Sequence, residues 1–106
     1  MTDRELLEFS AKAIGLKLRY NYLGGRDANQ PWDPLDDDGD ALRLAVKLNL
    51  SILPDAETET IRTVEAIANT GGEFEPFGIV KIENDQCAAT RRAITRAAAA
   101  IGEGMK

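Results

Sequence analysis

The sequence contains no histidine and a single cysteine, Cys87. Without histidine, the chain lacks the side chain that most often acts as an acid or base near neutral pH and most often binds metals. One cysteine cannot form an intrachain disulfide or a cysteine metal cluster, so the sequence indicates a reducing compartment. P-loop, Gly-x-Gly-x-x-Gly and Gly-x-Ser-x-Gly motifs are also missing. We therefore expect a protein that is not an enzyme and that uses no cofactor or metal.

Long apolar runs are missing as well, because nowhere do about 18 apolar residues follow one another. The first residues, MTDRELLEFSAKAIG, include acids and have no apolar run typical of a signal peptide. Basic residues are fewer than acidic ones, 13 against 18, which gives a net charge of -5. An acidic protein repels phosphate backbones and anionic lipids, so nucleic acid and membrane are not expected as partners. These features predict a cytoplasmic protein.

What is present is typical of a small globular protein. The chain has 106 residues, of which 43% are hydrophobic and 29% charged. This length is enough to bury one core and too short for two, so we expect a single domain over residues 1–106.

Local patterns predict the elements of the fold. Thr2 to Glu5 (TDRE) matches a capping box at the start of a helix that Gly15 would end. Residues 16–22 alternate between apolar and polar, as in a strand with one buried face. The next predicted elements are a loop over 24–36, a helix from about Asp38 to Leu48, strands over 50–53, 58–68 and 74–82, and a helix from about Gln86 to Ile101. Gly102 and the residues after it are expected to fray. The order α-β-α-β-β-β-α predicts an α+β fold, with an antiparallel sheet sandwiched by helices.

The most unusual stretch is PWDPLDDDGD, residues 31–40, with one tryptophan and five aspartates. Its carboxylates suit calcium or magnesium, but the spacing does not. With Gly39 at the sixth position of a calcium loop, the first and twelfth positions fall on Pro34 and Ala45, so two ligands are missing. The structural alternative is a helix cap formed by Asp37, Asp38 and Gly39, which we favour over a weak divalent site.

Four further residues are candidates for ligand binding. Trp32 lies between two prolines, which can hold its ring rigidly for stacking, although we favour the alternative in which the ring plugs the open edge of the core. Arg91, Arg92 and Arg96 form a basic ridge on the last helix that could grip phosphates or carboxylates. The alternative for the ridge is a solvated face paired with nearby acids.

Three blocks together resemble one family. They are Trp32-x-Pro34-Leu35, the segment DDGDALRLA from Asp37 to Ala45, and the segment AATRRAI from Ala88 to Ile94. In combination with a first helix ending in Ala-Ile-Gly, they are similar to the phage ABA sandwich domain family. The resemblance implies a small α/β/α sandwich encoded by tailed bacteriophages or prophages, located in the bacterial host. It carries over no catalytic residue and no assigned biochemical role.

The leading functional hypothesis is a non-enzymatic phage accessory protein that binds a partner protein or a small anionic ligand, or that forms a homo-oligomer. The alanine-rich last helix provides a close-packing surface for such an assembly. A second hypothesis is sequestration of a host nucleotide signal by Trp32 and the arginine ridge. A third follows from the helix-strand-strand-strand-helix order after Asp38, which resembles double-stranded RNA-binding domains, although the acidic charge disfavours it.

Overall fold

A computed structural model of the chain describes residues 1–16, 18–19, 22–23, 32–57, 62–68, 77–81 and 85–105. Within these ranges the helices are α1 (Asp3–Ala13), α2 (Asp38–Lys47) and α3 (Gln86–Gly104). The strands are β1 (Leu18–Arg19), β2 (Tyr22–Leu23), β3 (Leu50–Glu57), β4 (Arg62–Ala68) and β5 (Phe77–Lys81). Residues 24–31 of the predicted loop lie outside the described ranges. None of the described helices combines the length and apolar character needed to cross a membrane.

The signals predicted for α1 are confirmed at both ends. Thr2 Oγ1 accepts a hydrogen bond from Glu5 N at 3.1 Å, and Glu5 Oε1 accepts one from Thr2 N at 3.1 Å. This capping box uses two amides that have no partner inside the helix. At the other end Gly15 has a φ of 77°, the left-handed conformation that glycine adopts without steric cost. The helix therefore ends where the glycine allows the chain to turn.

The strands pair in two separate antiparallel groups, β1 with β2, and β3 with β4 and β5 in that order. The segment before α2 that was predicted to form one strand therefore contains two short strands, β1 and β2. Strand β3 also continues beyond Pro54, where the sequence predicted that it would stop. Its register with β4 shifts between Leu53 and Ala56, which is how a ladder accommodates a proline without a donor.

Helix α3 is the element on which the others pack, since it contacts α1, α2 and all three strands from β3 to β5. Its buried residues are nearly all small: Ala89, Ala93, Ile94, Thr95, Ala97, Ala98, Ala99 and Gly102. Short side chains let neighbouring backbones approach from several directions. The buried core joins these alanines to Ala11 of α1, to Leu44 of α2 and to Trp32.

The predicted fold class, an antiparallel sheet sandwiched by helices, is wrong. Among the residues whose side chains the structure describes, 68% lie in the three helices and only a short segment lies in a strand. The order is α-β-β-α-β-β-β-α, and the strands do not form one common sheet. The physical reason lies in α3: because it is buried on several sides, α1 and α2 pack on it instead of forming outer layers of a sandwich.

Helices α1 and α3 are in close contact at Gly102. A Cβ atom built on this residue would lie 1.8 Å from the carbonyl oxygen of Phe9, so α1 and α3 can be this close only if the position has no side chain. Nearby, the buried Ser10 hydroxyl donates to the Thr95 carbonyl oxygen at 3.0 Å. The prediction that residues from Gly102 onward fray is wrong, because α3 continues to Gly104. Packing against α1 holds this last turn in place.

We expect Gly102→Ala to destabilise the protein by about 1–3 kcal/mol, because the added methyl group must push α1 and α3 apart. The gain in helix propensity, about 1 kcal/mol, offsets only part of this cost. Urea denaturation followed by circular dichroism measures the change. Gly104→Ala is the matched control, since its Cβ would meet nothing within 4 Å. Equal stabilities of the two variants would contradict the close contact.

The capping box also predicts a pH dependence. The backbone and side-chain hydrogen bonds of Thr2 lower the pKa of Glu5 below its ordinary value of 4.5. A carboxyl group with a lowered folded-state pKa stabilises the fold above its unfolded pKa, and this contribution is lost as pH falls through the folded pKa. The stability difference between the wild type and Glu5→Gln should therefore be constant above pH 4.5 and shrink below it. A difference that persists unchanged in acid would contradict the assignment.

Candidate functional site

The stretch before α2 is a closed network of backbone amides and carboxylates. Asp37 is the N-cap of α2, and its Oδ2 accepts from Asp40 N at 2.8 Å. Asp33 Oδ1 accepts from Leu35 N at 3.1 Å, and the Asp33 carbonyl oxygen accepts from Asp37 N at 2.8 Å. Asp38 and Gly39, predicted as cap residues with Asp37, are the first two residues of the helix. These bonds fix the direction in which the chain enters α2.

Asp40 connects the turn to the helix. It is only 8% exposed. Its Oδ2 accepts from Asp33 N at 2.9 Å, and its Oδ1 accepts from Arg43 Nη2 at 2.6 Å. Burial of a carboxylate is tolerated when an amide and a guanidinium both satisfy it. In the sequence Asp40 is one of several neighbouring acids, whereas in the structure its carboxylate has two partners, Asp33 N and Arg43.

Trp32 lies in the core, where it is 6% exposed and packs in the cluster that includes Leu44 and Ala93. Pro34 beside it is fully buried. The ring therefore plugs the core next to α2 and α3, and it presents no free face for stacking on a ligand. Of the two interpretations of Trp32, the structure agrees with the one in which the ring plugs the core.

Arg91 ties α3 to the start of α2. Its Nε donates to the Leu35 carbonyl oxygen at 3.0 Å and its Nη1 to Asp38 Oδ1 at 2.6 Å. The side chain is 16% exposed. The hydrogen bond to Asp38 raises the pKa of the Arg91 guanidinium, against the opposite effect of burial. Arg91 thus holds two helices together while one edge of its side chain faces a groove between them.

The other two arginines point to different neighbours. Arg92 Nη2 donates to Asp3 Oδ1 of α1 at 2.8 Å, and its side chain is about one-third exposed. Arg96 is exposed and lines a shallow hollow with Met1, Leu6 and Ala100. Trp32, Arg91, Arg92 and Arg96 therefore do not converge on one site. A site that would hold a base on Trp32 and phosphates on all three arginines does not exist in this arrangement.

A groove of about 480 Å³ lies between α2 and α3. Its apolar lining comes from Ala41, Leu42, Ala45, Ile52 and Ile94. Its polar lining comes from Asp38, Gln86, Cys87, Thr90 and Arg91. Ala41 and Ala45 of α2 leave the space open, because their side chains are too short to fill it. The volume lies in the range of pockets that bind ligands in proteins.

Apolar surface continues beyond the groove on the outer side of α2. Leu42 and Val46 are 63% and 66% exposed, and they stand four residues apart on one helical face. Leu42 belongs to the lining of the groove, here called the α2–α3 groove, and Val46 extends its apolar surface by one helical turn. The helical spacing predicts that Leu42 and Val46 face the core together with Ala41, Ala45 and Leu48, and for these two residues the prediction is wrong, because both are exposed. Their spacing could have identified this pair, because Leu42 and Val46 lie on one side of α2 and the buried Ala41 and Leu44 lie on other sides.

The end of the α2–α3 groove near the helix starts is acidic. Asp38 lines the groove, whereas Asp36 and Asp85 lie next to its lining, Asp36 two residues before Asp38 and Asp85 one residue before Gln86. All three carboxylates are exposed and act electrostatically on Arg91. Three negative charges around one guanidinium leave a net negative potential at this end. The positive ends of the two helix dipoles reduce that potential without cancelling it.

The chemistry of the groove suits binding. Cys87 is an exposed free thiol at its edge, and the Thr90 hydroxyl donates to the Gln86 carbonyl oxygen at 2.7 Å. In the described part of the chain no three or more histidine, cysteine, aspartate or glutamate residues are grouped so as to hold a metal ion. The groove therefore offers a binding partner a concave surface, apolar contacts and charged side chains.

Comparisons of the chain with protein-family models, with curated proteins and with solved structures found no match in any of the three. The resemblance to the phage ABA sandwich domain family stays a prediction from the sequence. The α2–α3 groove is therefore the basis for any statement about function.

The turn network predicts a graded response at Asp40. Asp40→Ala leaves the Asp33 amide without its acceptor and should cost about 1–3 kcal/mol of folding free energy. Asp40→Asn keeps an oxygen acceptor and should cost less, because only the ion pair with Arg43 is weakened. Urea denaturation of both variants, with the exposed Asp36→Asn as the control, gives the order. If Asp36→Asn were as costly as Asp40→Ala, the network would not be the source of stability.

Proposed function

We propose that this protein is a non-enzymatic binding module that takes the apolar face of a helical segment from a partner protein into the α2–α3 groove. The observation that carries the proposal is the continuity of the groove with exposed Leu42 and Val46. Helix-in-groove recognition uses this combination, in which a long apolar trough receives side chains at helical spacing.

The extent of the apolar surface favours a polypeptide over a small molecule. A compact ligand would be enclosed by the groove itself, where it would contact Ala45 and Ile94. It would leave Val46, which does not line the groove, in water. A helix laid along α2 covers both surfaces at once, since residues four apart on two facing helices can meet along one seam.

Charge disfavours a second copy of this chain as the occupant. The whole protein carries a net charge of -5. A two-fold dimer through the α2–α3 groove would use the same patch on both copies, which brings two acidic surfaces together. Analytical ultracentrifugation decides between these occupants. A monomer is expected, whereas a dimer that dissociates in the Leu42→Gln/Val46→Gln variant would overturn the assignment to a partner protein.

Binding can be tested with a model partner. A designed amphipathic helical peptide of about 18 residues, with leucine and alanine on one face and glutamine on the other, presents an apolar face without charge. We expect micromolar binding by isothermal titration calorimetry. Leu42→Gln/Val46→Gln should weaken it about tenfold or more, because two apolar contacts are lost. Met105→Gln removes an exposed apolar side chain elsewhere and should leave the affinity unchanged.

The location of the bound peptide has its own measurement. Cys87 is the only cysteine of the chain and lines the groove. Alkylation of its thiol by a maleimide should slow when the peptide is bound. Absence of heat on titration, or binding that leaves the alkylation rate of Cys87 unchanged, would refute the proposed site.

A further inference from the structure

We infer that the segment recognised by the α2–α3 groove is a cationic amphipathic helix, with lysine or arginine residues flanking its apolar face. This inference rests on the proposed function and adds the chemical class of the partner. It follows from the position of the charges around the groove.

The acidic end of the groove is formed from two sides. Asp36 and Asp38 lie at the start of α2, and Asp85 lies at the start of α3. All three are exposed and all three act on Arg91 between them. Asp38 lies in the groove lining, and Asp36 and Asp85 lie at the starts of the two helices that border it. A cation on a docked helix would meet these carboxylates at that end, an arrangement that favours one sign of charge in the partner.

The two basic side chains that the structure describes near this end, Arg91 and Arg43, already have partners within the protein. Arg91 donates to Asp38 and to the Leu35 carbonyl oxygen. Arg43 donates to the buried Asp40 at 2.6 Å. Both guanidiniums therefore already donate to acceptors of this protein, whereas Asp36 and Asp85 are exposed beside the groove and, among the described residues, only Oδ1 of Asp85 accepts from a backbone amide, that of Ala88. An anionic segment would encounter those carboxylates first.

The same charges exclude other occupants of the apolar surface. Phosphate backbones and anionic lipid surfaces are repelled by a protein of net charge -5 whose binding site is acidic at one end. A basic amphipathic helix gains from both features, because its apolar face fills the trough and its flanking cations meet the acidic end.

The test uses three peptides that share one apolar face and carry lysine, glutamine or glutamate on the other. By calorimetry at about 0.02 M salt, we expect the lysine peptide to bind about tenfold more tightly than the glutamate peptide, with the glutamine peptide between them. The preference should fall to about twofold at 0.5 M salt, where surface charges are screened within roughly 4 Å.

A variant identifies the carboxylates responsible. Asp36→Asn/Asp85→Asn removes two charges while asparagine still caps α3, and it keeps the pair between Arg91 and Asp38. The lysine preference should drop about threefold or more in this variant. Glu8→Gln/Glu103→Gln removes the same charge from exposed positions on α1 and near the end of α3, away from the starts of α2 and α3, and should retain the preference.

The outcomes separate the two proposals. If the glutamine peptide binds but the lysine and glutamate peptides bind equally, the binding module stands and the cationic partner is refuted. Tighter binding of the glutamate peptide would assign the site to an anionic partner held by Arg91 and would also refute it. If the glutamine peptide fails to bind while the lysine peptide binds only at low salt and equally to Leu42→Gln/Val46→Gln, the attraction is nonspecific and both proposals fail.

Discussion

The close contact between α1 and α3 at Gly102 is the constraint on which the rest of the structure depends. The backbone of Phe9 occupies the place where any side chain at this position would stand. Alanine side chains bury little area each, so the stability of this contact comes from dense packing of two backbones. The buried hydrogen bond from Ser10 to the Thr95 carbonyl oxygen satisfies a hydroxyl that water cannot reach. With α1 held there, α3 becomes the axis against which α2 and the strands are placed.

Small residues lead to tight packing at one end of α3 and to an open groove at the other. Near Gly102, α1 fills the space that they leave. Near the start of α3, α2 is held by Arg91 through Asp38 and the Leu35 carbonyl oxygen. The alanines of α2 that face α3 are too short to fill the gap, and the α2–α3 groove remains. The groove is thus a consequence of helix spacing set by a guanidinium at one end and by small side chains along the interface.

Structural features that depend on neighbouring residues were predicted from the sequence, whereas the packing of the helices against one another was not. The capping box at Thr2 and the start of α3 at Gln86 depend on neighbours within four residues, so their patterns identify them. The sheet sandwich was wrong because a pattern of elements does not reveal that α3 is buried on several sides. Arg91 was singled out, but its partners lie more than 50 residues away in the chain. The groove was missed for the same reason, since its walls come from separate helices.

Exposed Leu42 and Val46 are the feature that folding alone does not explain. Both side chains are mostly exposed on α2, at positions where any good helix former would serve and where a polar residue would suit the contact with water. Single exposed apolar residues are common, but two on one face beside an apolar groove form a patch of the kind that marks binding sites. Asp37 and Asp85 already supply the two helix caps, so Asp36 is free to act on whatever approaches that patch. Apolar contact would then hold the partner in the groove, and the acidic end would select the sign of its charge.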